Sequence, residues 1–151
     1  MIDASLRLSI LDLMMKLKEE LGISFLYITH DLATARYIAR GGRIAVMYLG
    51  KIVELGVLED VFHTPMHPYL RALLAAAPIP DPKLAKRRGP LPLRSWEIPS
   101  ADSFPTGCRF HPRCPYAEGI CAEEEPPLRD IGDGHQVACH LAEVIPPWRL
   151  M

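Results

Sequence analysis

Leu6, Ile10, Leu13, Met14, Leu17 and Leu21 recur at helical spacing, with Lys16, Lys18, Glu19 and Glu20 between them on the other face. Asp3 and Ser5 precede or open this stripe and are good helix N-cap residues, and Gly22 is placed to end the helix. The period then changes. Residues 23–29, Ile-Ser-Phe-Leu-Tyr-Ile-Thr, are β-branched, aromatic and nearly continuous in hydrophobicity, which predicts a strand buried on both faces of a parallel sheet. It stops at His30, and Asp31 can cap a second helix running to about Arg40, where Gly41-Gly42 breaks it. In open α/β sheets, ligands sit in the crevice at the carboxyl ends of strands, so His30 stands where chemistry is expected.

Arg43 to Leu49 reads as another strand, with Gly50-Lys51 a tight turn into Ile52-Val53-Glu54. Leu58, Val61 and Phe62 predict a short helix that Pro65 stops. Pro68 is tolerated in the first turn of the next helix, which carries Leu70, Leu73 and Leu74. From Pro78 to Pro105 seven prolines interrupt any period, the pattern of an extended connector. The organisation expected is therefore residues 1–77, a connector over 78–103, and a cysteine-rich lobe with a tail over 104–151. One clearly buried strand lacks the neighbours that a parallel sheet needs, so an N-terminal portion of a larger domain is expected to be missing.

Composition changes this picture little. Of the 151 residues, 49% are hydrophobic and 23% charged, as in globular proteins. A net charge of -1 gives no electrostatic case for nucleic acid. Lys83, Lys86, Arg87 and Arg88 form a basic run without interleaved aromatics, which is a solvated stretch before it is a nucleic-acid patch. No apolar run is long enough for a membrane span, and the N-terminus lacks the pattern of an export signal.

The cysteines add a second chemical feature. Cys108, Cys114, Cys121 and Cys139 are spaced C-x5-C-x6-C-x17-C. Four thiolates can enclose a tetrahedral zinc or a cubane iron–sulfur cluster, and spacing alone leaves the two near parity. The intervals are wider than the knuckles of a simple zinc ribbon. With few large aliphatics nearby, a metal would give this lobe cohesion that packing does not. His111, His135 and His140 lie beside a set that four cysteines already complete, and are expected around it or at the surface.

Several segments together resemble a known family. Met1-Ile2-Asp3-Ala4-Ser5 is similar to the D-loop of ABC-type ATPases, Tyr27-Ile28-Thr29-His30-Asp31 to their switch strand and H-loop, and Arg43 to Gly56 to the following hairpin. Phe62-His63-Thr64-Pro65-Met66-His67-Pro68-Tyr69 resembles the C-terminal region of oligopeptide and dipeptide importers. Gly107-Cys108-Arg109-Phe110-His111-Pro112-Arg113-Cys114-Pro115 with Val137-Ala138-Cys139-His140 resembles the end of the same proteins. The resemblance implies an α/β fold: an incomplete C-terminal part of a P-loop ABC ATPase domain, with parallel strand, helices and β-hairpin, followed by a small metal-stapled cysteine lobe. It implies that His30 contacts the γ-phosphate and helps to position the attacking water, and that Asp3 faces a partner subunit across bound ATP. It favours a 4Fe–4S cluster on the four cysteines, with zinc as the alternative and free or disulfide-paired cysteines third.

The same resemblance implies a peripheral ATP-hydrolysing subunit on the cytoplasmic face of the membrane, using ATP and Mg²⁺. Its partners would be a second ATPase subunit, transmembrane permeases and, indirectly, a peptide-binding protein. The G-x-x-x-x-G-K-[ST] loop, the signature segment and the strand with the Mg²⁺-binding Asp and general-base Glu do not occur in these residues. Gly50-Lys51-Ile52 is not such a loop. The expectation is that the chain alone neither binds nor hydrolyses ATP appreciably. The rival reading is a free-standing four-cysteine binding module without nucleotide chemistry.

Overall fold

A computed structural model describes residues 4–78, 83, 90–100 and 102–148. Two compact units are present, one extending to Arg40 and the other beginning at Gly41.

In the first unit, helix α1 spans Ala4–Leu21. Gly22 ends it as expected: its φ of 64° is cheap only for glycine, and its N–H donates to the Lys18 carbonyl at 3.1 Å. The most buried side chain of α1 is Leu11, whereas Leu6, Ile10, Leu13 and Leu21 of the expected stripe remain exposed. The expected parallel strand does not form. Residues 22–29 join no sheet, and Leu26 and Ile28 are 92% and 86% exposed. Strand-forming residues without a neighbouring strand have no partner for their backbone groups, so propensity alone does not make a strand. Helix α2 (Leu32–Ile38) follows. Its N-cap is Asp31, whose Oδ1 accepts from the backbone N–H of Ala33 at 2.8 Å and of Thr34 at 3.4 Å. The helix ends two residues before the expected Arg40.

The second unit is built on an antiparallel hairpin, β1 (Arg43–Tyr48) and β2 (Lys51–Val57). Leu49 and Gly50 form the two-residue turn with φ of 46° and 79°, both positive as such hairpins require. The turn is thus shifted by one residue from the expected Gly50-Lys51. Opposite Val46 and Met47 the register passes from Glu54 to Ile52, so Val53 is an extra residue, a β-bulge. The bulge breaks the alternation of faces, and Val53 and Glu54 are buried one after the other.

Helix α3 (Leu58–His63) packs Leu58, Val61 and Phe62 inward and has Glu59 and Asp60 in its first turn, where acids complement the helix dipole. Helix α4 (Pro68–Ala76) carries proline at its start and buries Leu70, Arg71, Ala72 and Leu74. After the connector come α5 (Gly119–Glu123), β3 (Arg129–Asp130) and β4 (Gln136–Val137). One sheet results, ordered β1-β2-β4-β3.

This sheet corrects the picture of a self-contained cysteine lobe. Strand β4 pairs antiparallel with β2, Val137 opposite Glu54 and Gln136 opposite Leu55, and the Ala138 N–H donates to the Val53 carbonyl. The aliphatic-poor segment completes its core by packing on the hairpin and α4 rather than by packing on itself. Phe110, from between the first two cysteines, is 1% exposed. Its ring meets those of Tyr48 at 5.2 Å, Tyr69 at 5.5 Å and His67 at 5.8 Å. Val137, Cys139 and Ala142 form a further buried cluster that touches Met66.

Candidate functional site

His30 lies at the end of the unpaired stretch 22–29, directly before the Asp31 cap, and is exposed. Thr29 helps to shape this corner: its Oγ1 accepts from the Asp31 N–H at 3.0 Å. Asp31 also lies 3.7 Å from the Arg7 guanidinium, with both side chains substantially exposed. Asp3 falls outside the described residues. The sequence expectation of His30 at a strand end therefore meets a histidine at the mouth of a capped helix, on a segment that no sheet holds.

The four cysteines do come together. Cys108, Cys114, Cys121 and Cys139 line one small cavity, joined there by His67, Phe110 and Tyr116. None is in a disulfide. Their loops are tied to one another: the Cys108 N–H donates to the Cys121 carbonyl at 2.8 Å, and that of Cys114 to the Phe110 carbonyl at 3.0 Å. Gly107 makes the first of these contacts feasible. Its φ is 61°, and a Cβ there would lie 2.6 Å from the Cys121 carbonyl oxygen. Burial pushes the Cys114 thiol up to about 12 and the Cys139 thiol up to about 11, and also raises Cys108. Among the described residues, no three His, Cys, Asp or Glu side chains converge as ligands of a single metal ion. The donor set is right for a soft metal centre, while its convergence on one point is not seen.

The histidines beside the cysteines behave differently from one another. His111 and His140 hydrogen-bond to the backbone carbonyls of Cys108 and Glu124, at 2.9 Å each, and so brace the loops. His135 is buried and belongs to another group altogether.

That group is centred on Glu54, which sequence reasoning passed over as an ordinary strand residue. Its side chain is fully buried. Oε1 accepts from the Met66 N–H at 2.9 Å and meets His135 Nε2 at 2.8 Å, and Oε2 accepts from the His67 N–H at 2.7 Å. One carboxylate thus pins the turn between α3 and α4 and the β3–β4 loop to the bulge of β2. Burial raises its pKa, opposed by the two backbone donors and then by His135. The signal available in the sequence was an acid flanked by Val53 and Leu55 in an apolar run, a position that needs a partner when buried.

His67 serves this turn from the other side. Its Nδ1 accepts from the Tyr69 N–H at 3.1 Å, capping α4, and burial lowers its pKa to about 3 with Arg71 adding to the effect. It is neutral, with its proton on Nε2. Arg71, buried in the same helix, donates from Nε to the Pro65 carbonyl at 2.8 Å and from a terminal nitrogen to Pro146 at 2.7 Å. His67, Pro68 and Tyr69 are a structural joint: a cap, a helix start and a ring packed at a tilt against Tyr48, centroids 4.5 Å apart.

Residues 53–121 match the family described as Oligopeptide/dipeptide transporter, C-terminal region. A Sinorhizobium fredii protein named as a probable peptide ABC transporter ATP-binding protein is 49% identical over 140 residues, 93% of this chain and 38% of the relative. The oligopeptide transport ATP-binding protein OppF of Escherichia coli is 43% identical over 91% of this chain and 40% of its own length. AppF of Bacillus subtilis, an oligopeptide transport ATP-binding protein, is 39% identical over 93% of this chain and 42% of its own. The chain is similar to these proteins over most of its own length and spans about two-fifths of theirs. Among the described residues, no helix is long and apolar enough to cross a membrane.

Proposed function

We propose that this chain provides the C-terminal part of the ATP-hydrolysing subunit that powers an importer of oligopeptides or dipeptides. The observation that carries this reading is identity of 39–49% to peptide-transport ATP-binding proteins over nine-tenths of the chain, through both the His30 segment and the His-Pro-Tyr joint. In the assembled subunit, His30 donates a hydrogen bond to the γ-phosphate and orients the attacking water, and Asp3 faces a second ATPase subunit. An imidazole suits the task because one nitrogen can donate while the other is held. The subunit acts at the cytoplasmic face of the membrane, with permeases as its partners and a peptide-binding protein upstream. The apolar residues of 23–28 then receive neighbouring strands in a complete nucleotide-binding domain.

The four cysteines are proposed to hold a 4Fe–4S cluster, with zinc as the alternative. Their shared cavity and the absence of disulfides among them support a soft-metal site. A lone tetrahedral zinc needs every sulfur within about 2.3 Å of one point. A cubane instead takes thiolates around a body with several irons, which suits thiols that share a cavity without converging. When bound, the group would supply cross-linking between the Cys108–Cys121 loops and the β4 strand, along with one-electron chemistry.

Two experiments test the reading. Residues 4–148 grafted in place of the matching region of the Escherichia coli relative should restore ATP hydrolysis and peptide uptake, and His30→Ala in that graft should reduce turnover at least a hundredfold while nucleotide still binds. Unchanged turnover in the His30→Ala graft would overturn the role of His30. Air-free purification of this chain should give a brown protein with iron and sulfide in equal amounts; a colourless protein with one zinc per chain rules out the iron–sulfur assignment.

A further inference from the structure

A second cavity, of about 300 Å³, opens beside the hairpin turn and shares Cys108 and Phe110 with the first. That volume is at the lower end of small-ligand pockets and too small for a long acyl chain. Its walls include Ile52, Val53, Pro126, Leu128 and Ala138, so most of what a ligand would touch is apolar. Three charged side chains stand with these walls: Lys51, Arg109 and Glu125. Lys51 Nζ lies 2.8 Å from Glu125 Oε1, so one positive and one negative charge pair off. Arg109 is the surplus cation.

Arg109 is also fixed in place. A terminal guanidinium nitrogen donates to the Leu49 carbonyl in the hairpin turn, and the guanidinium carbon lies 4.4 Å from the centre of the Phe104 ring. A Cβ at Gly50, in the same turn, would stand 3.6 Å from a terminal guanidinium nitrogen, in ordinary van der Waals contact. A guanidinium has five N–H donors, and the Leu49 bond uses one of them. A cation held this way loses little side-chain freedom when a ligand arrives. Glu125 is held below the usual carboxylate range by its hydrogen bond to Lys51, with the charges of Lys51 and Arg109 adding to the effect. The rim therefore carries two cations and one anion over an apolar floor.

We infer that this cavity binds a small organic carboxylate with a compact branched aliphatic body, its carboxylate at Arg109 and Lys51 and its body over Ile52 and Leu128. Inorganic phosphate would leave the floor unfilled, and a neutral hydrocarbon would leave the surplus cation unpaired. The ligand chemistry has two sources, a simple aliphatic acid or an amino acid whose ammonium group approaches Glu125. Cys108 also lines this cavity, but the inference makes no use of its sulfur or of His30.

The test is a titration of this chain, followed by isothermal calorimetry and by ¹⁵N chemical shifts of Gly50, Ile52 and Arg109. Three probes share one aliphatic body: 4-methylpentanoate, its neutral amide, and leucine. The acid should bind at least tenfold more tightly than the amide. Leucine binding more tightly than 4-methylpentanoate identifies the amino-acid source, and weaker binding identifies the simple acid. Arg109→Gln should weaken the acid at least tenfold. Ile52→Trp, at a partly exposed wall position, should fill the cavity and abolish binding while the near-ultraviolet dichroism of the fold is kept. Equal affinity for acid and amide overturns the inference, as does binding that survives Ile52→Trp or no binding of any probe at millimolar concentration.

Discussion

Phe110 is the ring that packs the cysteine segment onto the hairpin and α4, so its removal should be felt far from its own loop. The ring is 1% exposed and meets Tyr48 of β1, Tyr69 of α4 and His67 at the α4 cap. Truncating a buried Phe to Ala costs about 3–5 kcal/mol, from lost transfer energy and the cavity left behind. Each well-oriented aromatic pair adds about 0.5–1.5 kcal/mol beyond area. With three rings around it and rigid neighbours, Phe110→Ala should fall in the upper half of that range, about 4–5 kcal/mol.

Urea unfolding followed by tryptophan fluorescence measures this cleanly, because Trp96 and Trp148 both belong to the unit beginning at Gly41. The decisive readout is hydrogen exchange in the hairpin. Amides joining β1 and β2 should exchange about a thousandfold faster in the variant, since every 1.4 kcal/mol is roughly a factor of ten. Should Phe110→Ala unfold the chain outright, Phe110→Leu gives the same comparison at a cost of about 1–1.5 kcal/mol. If the loss is under about 1.5 kcal/mol for Phe110→Ala, or if hairpin exchange is unchanged while the cysteine loops loosen, the shared core is refuted and a self-contained lobe is restored.

Other expectations concern single contacts. Gly107→Ala should cost about 3 kcal/mol or more, from a clash with the Cys121 carbonyl added to the strain of a positive φ; Gly134→Ala, also at positive φ but facing open space, should cost only about 1 kcal/mol, and equal costs in thermal melts would contradict this. Asp31→Ala should remove about 1 kcal/mol from α2 by withdrawing its cap, seen as lost protection at Ala33 and Thr34; unchanged protection would show that the cap is idle. Glu54 has a folded pKa raised above its ordinary 4.5, so its contribution to stability is full below 4.5 and is lost as pH rises through the folded value. His135 faces it directly and Arg71 acts on it through space. Glu54→Gln should therefore flatten the decline in stability above pH 4.5, and a variant with the wild-type slope would count against this assignment.

Local chemistry was the legible part of this chain. Gly22, Asp31, Pro65 and Pro68 each act within one turn of their own position, and each stands where the pattern placed it. The hairpin was legible for the same reason, although the turn moved by one residue because Leu49 accepts a positive φ beside Gly50. What failed was long-range. The bulge at Val53 leaves no mark on the apolar run, and it is the bulge that turns Glu54 inward. The pairing of β4 with β2 spans some eighty residues and rests on two-residue strands too short to show a period. Of the candidate site, the grouping of the four cysteines was legible from their spacing and the family resemblance, while nothing in the sequence marks the His67 beside them as buried and neutral.

The segment 23–29 shows why propensity and structure part company here. Its residues favour a strand, yet a strand is a relation between segments, and a lone one gains neither ladder hydrogen bonds nor a covered face. Burying a Leu or Ile side chain is worth about 1.5–3 kcal/mol. Leu26 and Ile28 are almost wholly exposed in the first unit, so covering both would release a few kcal/mol by that same measure. That gain is comparable to a sizeable fraction of a domain's net stability. His30 is attached to this segment, and its position is therefore only as fixed as the segment itself. The phosphate contact proposed for His30 needs a rigid base, and neighbouring strands that would cover Leu26 and Ile28 would supply it. Covering the apolar side chains and placing the imidazole are thus one event, which couples the chemistry proposed for His30 to the completion of a sheet.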